Sequence, residues 1–411
     1  MSQQDDSSSH VSLFKEFPDS VRDHLQQVWG GMNEEQRHEM GDLFSLIPRT
    51  IRPLQDVLRI VADQYAPVVK TKHRVAIVGP ANSGKSTMFN RIILRKADRA
   101  QTGPLPGVTR EMSESDASVF VLADTPGADA VGDLGEREKA IAFDTAAAAD
   151  FLVIMFDASH GVTRHEQELY ADLKALGKPF IVLLNKIDTV GRQAPESIEQ
   201  AARALDLEPA QVLGTVATRG RNVGRVVLAI AKQEPALLAA LGEALPHYRR
   251  KLAWQRILPA TASAGVVGLT PIPIADLIPL LGIQAGMVLT IARIYGRKLS
   301  VRNAKEIITT FGVGLASRLA FQQLSKLGGI PGYVLSASVA AATTLVMGVG
   351  AVNWFAHGEK PTQQWINDRV REVSELIVYK LKQQGGRRPS RRELKLRISE
   401  AVRHIERLFQ R

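Results

Sequence analysis

Cysteine is absent from this 411-residue chain, so no disulfide staples it and no thiol does chemistry in it. That suits a reducing compartment. Met1 to His10 is polar and acidic and lacks the apolar run of a secretory signal, so the expectation is a disordered tail over residues 1–10. Charge is scarce in one long stretch: only ten of the 104 residues from Trp254 to His357 are charged, against 23% for the whole chain. Acids are scarcer still, with Asp276 and Glu306 facing eight Lys or Arg. From Gln384 to Arg411 there are nine basic residues and three acids. The net charge of +10 is thus confined to the C-terminal third and points to a polyanionic partner there, anionic lipid or nucleic acid. Aromatic residues do not interleave with the basic ones and no RNA-binding module is evident, which weakens the nucleic-acid reading.

What is present is enough for two or three domains, with 45% hydrophobic residues to build their cores. The stretch Arg74-Val-Ala-Ile-Val-Gly-Pro-Ala-Asn-Ser-Gly-Lys-Ser-Thr87 reads as a buried strand, a glycine-rich turn and a helix start. Gly79 to Ser86 fits G-x-x-x-x-G-K-[ST] without a mismatch. Gly79 and Gly84 let the backbone wrap, so that the N–H groups of the loop, Asn82 and Ser83 among them, converge on phosphate oxygens. The helix that follows, from Ser86 and Thr87, adds the positive end of its dipole. Lys85 can reach the β- and γ-phosphates, and Ser86 can offer its hydroxyl to Mg²⁺.

From Lys72 to about Gln233, apolar runs alternate with helical patterns. Val75–Val78, Ser118–Leu122, Phe151–Phe156, Phe180–Leu184 and Gln211–Val216 read as strands, several of them apolar on both faces. This predicts a doubly wound, mostly parallel α/β domain of the P-loop NTPase class, with its ligand at the carboxyl ends of the strands. Further signals fall at those ends in chain order. In Pro106-Gly-Val-Thr-Arg110, Thr109 can bind Mg²⁺ and sense the γ-phosphate. In Asp124-Thr-Pro-Gly127, Asp124 can hold Mg²⁺ through water and the Gly127 N–H can face the γ-phosphate. In Asn185-Lys-Ile-Asp188, the Asp188 carboxylate matches the paired N–H donors of guanine, Asn185 fixes the loop and the Lys186 stem can lie over the base. Adenine would leave that carboxylate unpaired and is rejected. Thr215-Val-Ala-Thr218 offers the Ala217 N–H to the guanine oxygen.

Residues 72–233 resemble the Era, EngA and TrmE group of bacterial GTPases, on GPANSGKS, PGVTR, DTPG and NKID. The resemblance implies GTP binding and slow hydrolysis to GDP and phosphate, used as a switch. Asn82 stands where potassium-activated members carry an Asn that helps bind K⁺; the alternative is that it only shapes the loop. Ala128 follows DTPG where Ras-like enzymes place the glutamine that orients water, so no catalytic base is supplied in cis and an activating factor is expected. Catalysis would rest on Lys85, Thr109 and Gly127 with Mg²⁺ at Ser86, Thr109 and Asp124. Val216 departs from the Ser common in the group, and only fourteen residues separate Thr109 from Asp124, so the hairpin between them must be short.

Flanking regions are expected to be helical. Residues 11–71 form an N-terminal helical segment, either packed on the next domain or joined to the C-terminal helices. Residues 234–383 form an apolar, membrane-associated helical domain. Tyr333–Ala356 is uncharged for 24 residues, enough to span a bilayer at ~20 residues, yet rich in Ala, Gly, Ser and Thr. The alternative there is a soluble helical domain whose small residues permit close packing. Thr270-Pro-Ile-Pro-Ile-Ala-Asp-Leu277, with Gln284, Met287 and Tyr295-Gly, resembles a YcjF-like domain of unknown function. That resemblance implies membrane association in bacteria, through anionic lipid or a membrane protein, and the basic cluster Arg293, Arg297, Lys298, Arg302 and Lys305 between the apolar runs points to the cytoplasmic face of the inner membrane. Residues 384–411 read as a basic amphipathic helix, with Leu394, Ile398, Val402, Ile405 and Phe409 on one face. A soluble protein acting on RNA or the ribosome, and an oligomerising dynamin-like remodeller, are the competing expectations.

Overall fold

The computed structural model describes residues 73–93, 119–125, 133–268, 277–297, 331–382 and 390–409. The expected N-terminal tail and helical segment lie outside these residues, as does the hairpin expected after Thr109. Two compact units divide the described chain, one over residues 71–249 and one from Arg250 onward. The first includes the short helix after Gln233, the residue at which the alternation of apolar runs and helical patterns ends in the sequence.

The first unit is built on five parallel strands in the order β2-β1-β3-β4-β5. They are β1 (Val75–Pro80), β2 (Phe120–Thr125), β3 (Phe151–Asp157), β4 (Phe180–Asn185) and β5 (Val212–Gly214). Phe151 to Phe156 are fully buried, as an apolar run covered by helices on both faces must be. The crossover helices are α1 (Lys85–Ile92), α2 (Asp133–Ala148), α3 (Arg164–Ala175) and α4 (Ala194–Ala204), and α5 (Val223–Gln233) follows the last strand. Local chemistry sets their starts. Thr163 and Glu166 close a capping box on α3: the Thr163 N–H donates to Glu166 Oε2 at 2.8 Å, and the Glu166 N–H to Thr163 Oγ1 at 3.3 Å. Asn222 caps α5 from a left-handed backbone (φ 66°), and its side-chain Nδ2 donates to the Gly214 carbonyl at 2.7 Å. A short helix, α6 (Leu238–Ala244), buries Leu238 and Leu241 and follows α5.

The parallel register lines up what the site uses. Gly79 pairs with Asp124, and Asp157 pairs with Asn185, so these residues lie at or next to the carboxyl ends of neighbouring strands.

The second unit is helical: α7 (Arg249–Val267), α8 (Leu277–Ile294), α9 (Gly332–His357), α10 (Gln363–Lys382) and α11 (Arg391–Phe409), around one apolar core. Small residues let α7 and α9 approach closely. A Cβ on Gly348 would lie 2.8 Å from Ile257, and one on Gly265 would lie 2.2 Å from Ile398 of α11 and 3.3 Å from the Ala337 carbonyl. α9 is long and apolar enough to cross a membrane, the one such helix among the described residues; 94% of its most apolar window is buried within the unit. Two of its buried hydroxyls bond its own backbone, Thr343 donating to the Val339 carbonyl at 2.7 Å and Thr344 to that of Ala340 at 2.9 Å. α11 turns Leu394, Ile398, Val402 and Ile405 into the core. Its apolar face is therefore packed on the domain, and Arg392, Lys395 and Arg403 remain exposed on the other side together with Leu396.

Candidate nucleotide site

The phosphate loop joins β1 to α1. Gly79 is required by close approach: a Cβ there would sit 2.1 Å from the Met155 carbonyl oxygen of β3. Gly84, at φ 96°, is the N-cap of α1, and a Cβ on it would lie 2.4 Å from Asn185 Nδ2. Asn82 is exposed and holds a left-handed backbone at φ 62°, which Asn tolerates better than most residues. This conformation gives Asn82 a backbone reason to be where it is, whether or not it meets a cation. Lys85 is buried, and its Nζ donates to the Gly79 and Pro80 carbonyls, each at 2.7 Å. The ammonium is thereby held across the mouth of the loop, where phosphate oxygens can replace those carbonyls. Ser83 is buried at 0% exposure, and Ser86 and Thr87 are partly exposed in the first turn of α1.

Asn185 is the hub. Its amide Nδ2 donates to the Ser83 carbonyl at 2.9 Å, which ties the end of β4 to the phosphate loop. Its Oδ1 accepts from Thr215 Oγ1 at 3.1 Å and from the Ala217 N–H at 3.0 Å, which ties it to the loop after β5. The residue is 2% exposed, so each bond is made away from water. The Ala217 amide, expected to face a guanine oxygen, is engaged by Asn185 in this structure. The same loop is closed by Val216 and Arg221, which exchange backbone bonds at 3.2 and 3.1 Å. Val216 is 1% exposed beneath it, so the departure from Ser is met by burial.

Lys186 also adopts a left-handed backbone, at φ 60°. Its Nζ donates to Asp157 Oδ2 at 2.6 Å. Asp188 lies 3.8 Å from the exposed guanidinium of Arg219. Arg91, at the end of α1, donates to the Thr218 carbonyl and so links the phosphate helix to the base loop. Asp157, Arg91, Arg219 and Asn222 carry no motif signal; Asp157 alone had a cue, as an acid ending a wholly apolar strand. Asp124 ends β2 beside Gly79, which fixes its backbone at the phosphate loop. Thr109 and Gly127 lie outside the described residues.

A strand, a lysine-bearing glycine loop and a base loop locked together by one buried Asn define a P-loop GTPase domain. Residues 74–186 match the family described as "50S ribosome-binding GTPase", and residues 236–383 match the family "Domain of unknown function (DUF697)". The order of the two matches, a GTPase domain and then a DUF697 domain, accords with the Era-like and YcjF-like resemblances. GTPase Der of Solidesulfovibrio magneticus is 38% identical over 167 residues, 39% of this chain and 36% of that protein. The tRNA modification GTPase MnmE of Acaryochloris marina is 32% identical over 197 residues, 44% of this chain and 42% of that protein. A solved structure of an Era variant from Aquifex aeolicus, bound to GDP.AlF4-, is 26% identical, covers 50% of this chain and 70% of its own, and gives a TM-score of 0.34. The chain spans about two fifths of the length of these curated relatives.

Proposed function

We propose that this chain binds GTP with Mg²⁺, hydrolyses it slowly to GDP and phosphate, and uses the two nucleotide states to set the activity of its C-terminal helical domain at the cytoplasmic face of the bacterial inner membrane. The observation that carries the nucleotide half is the Asn185 hub, which fastens the phosphate loop and the base loop to one buried side chain. Water would attack the γ-phosphate in line, with Lys85, Thr109, Gly127 and the loop N–H groups stabilising the charge that develops and Ser86, Thr109 and Asp124 holding the metal. With Ala128 where a water-orienting glutamine would stand, turnover waits on an activating factor or on K⁺ at Asn82.

The membrane half is supported by the basic outer face of α11 and by the apolar length of α9. Because the apolar faces of α9 and α11 are spent inside the unit, peripheral docking on anionic lipid or on a membrane protein fits better than insertion. A second reading, a protein acting on RNA or the ribosome, draws on the same exposed arginines and on the names of the matched family and of MnmE. GTP turnover of the full chain, measured in KCl and in NaCl, with and without anionic liposomes, and beside Lys85→Ala, tests these readings. The expectation is a low basal rate raised by liposomes, and no turnover by Lys85→Ala. A rate untouched by lipid, with the protein left in the supernatant, overturns the membrane half and turns the search to ribosomes. A potassium requirement would assign Asn82 its cation.

A further inference from the structure

We infer that Asp157 is a positioning residue for guanine recognition: it anchors Lys186 so that the lysine stem forms a fixed wall of the base site. This rests on the reading of the site as a guanine-nucleotide site. The geometry is built from the sheet upward. Asp157 ends β3 directly beside Asn185 in the parallel register, and the Ala158 N–H donates to the Asn185 carbonyl at 2.9 Å. The strand end that carries Asp157 is therefore locked to the residue that precedes Lys186.

The two oxygens of the carboxylate have divided work. Oδ1 accepts from the Ser159 N–H at 2.9 Å and from Ser159 Oγ at 2.7 Å, which fixes the plane of the group. Oδ2 is left for the Lys186 ammonium, 2.6 Å away. Asp157 is 4% exposed. Burial alone would raise its pKa, but the Lys186 ammonium and the Ser159 bonds outweigh it and hold the carboxyl below its usual value, so the partner offered to Lys186 is a full charge. At its other end Lys186 is pinned by its left-handed backbone. A chain held at both ends has lost most of the rotamer freedom a lysine otherwise keeps, so a base lying on its methylenes has less ordering left to pay.

The alternative is that Asp157 only shapes the turn after β3 through Ser159. Asp157→Asn separates the two roles. Its amide oxygen can still accept from Ser159, but the amide nitrogen that replaces Oδ2 cannot accept from an ammonium. The test measures Kd for GDP and for inosine diphosphate with the full chain carrying Asp157→Asn, Lys186→Met or both. Each single change is expected to weaken GDP about tenfold, the worth of one charge-assisted hydrogen bond, and the double change no further than either alone. The ratio of the two Kd values should stay at that of the wild type, because Asp188 still reads the exocyclic amine that inosine lacks. Asp157→Asn that binds GDP as wild type does, effects that multiply in the double variant, or a collapsed ratio would each overturn the proposal and leave the site reading standing. Wild-type protein that binds no guanine nucleotide would overturn that reading, and this inference with it.

Discussion

Apart from Gln284 on Thr344, the two units bury hydrogen-bonded polar side chains in opposite ways. In the sheet unit, Asn185 bonds reach residues 102, 30 and 32 positions away, and Lys186 reaches 29 back to Asp157. Each joins separate elements and ties their positions together. In the helical unit, Thr290, Thr343 and Thr344 donate four residues back along their own helices, to Gly286, Val339 and Ala340. Such bonds satisfy a buried hydroxyl without saying where the neighbouring helix must be. The first kind of core defines a site for chemistry. The second defines an apolar body whose helices are positioned by shape, by contacts such as Gly265 on Ile398 and Gly348 on Ile257.

The contrast is broken most directly at its strongest point. Asn185→Ala strands the Ser83 carbonyl, the Thr215 hydroxyl and the Ala217 amide in a site sealed from water. The expected cost is about 3 kcal/mol or more, since each buried partner left unmatched costs on the order of 1–3 kcal/mol. Denaturant unfolding should show it as a lower midpoint for the sheet unit, and GDP affinity should fall with it. An unchanged midpoint would mean that the three groups find other partners and that the hub does not organise the loops.

The helical unit should respond to volume instead. Gly265→Val places a branched side chain where even a Cβ would meet Ile398 at 2.2 Å. Overpacking of this kind costs about 2 kcal/mol. Unfolding of the C-terminal unit should move to lower denaturant while the Kd for GDP stays within error. A change in GDP affinity equal to that of Asn185→Ala would erase the distinction between the two units.

The same distinction decides what was legible in the chain. The phosphate loop and Asn185-Lys-Ile-Asp188 could be read because one backbone path and one set of donors serve the chemistry, and each is contiguous in sequence. Four of the five strands start within a residue of their expected positions; β2 starts two residues late, at Phe120. Arg219 and Arg91 were not legible, because their partners are distant and a lone arginine carries no pattern; Asp157 offered only its place at the end of an apolar strand, which does not name its partner Lys186. Amphipathicity marked the buried face of α11 correctly as apolar but not what covers it: Leu394, Ile398 and Val402 would look the same against lipid or against α7. Tyr333–Ala356 was ambiguous for the same reason, since a core helix and a span share a composition.

The smallest effect is the sharpest test, because it compares two buried amides. Gln284 is 0% exposed, and its Nε2 donates across to Thr344 Oγ1 at 3.1 Å, a bond that joins α8 to α9. Its Oε1 has no partner among the described residues, so half of the amide is already a cost. Thr344 does not depend on Gln284, since its hydroxyl donates to Ala340. Gln284→Leu removes the orphan oxygen, keeps most of the volume and leaves no new unmatched donor. The expected change is within about 1 kcal/mol of zero and can be stabilising. Calorimetric unfolding of Gln284→Leu beside Asn185→Leu would show it: a loss comparable to that at Asn185 would mean that the bundle, like the sheet, is registered by a polar bond between its elements. A neutral outcome at Gln284 and a large loss at Asn185 would place positional precision in the nucleotide unit and leave the helices of the bundle held by shape.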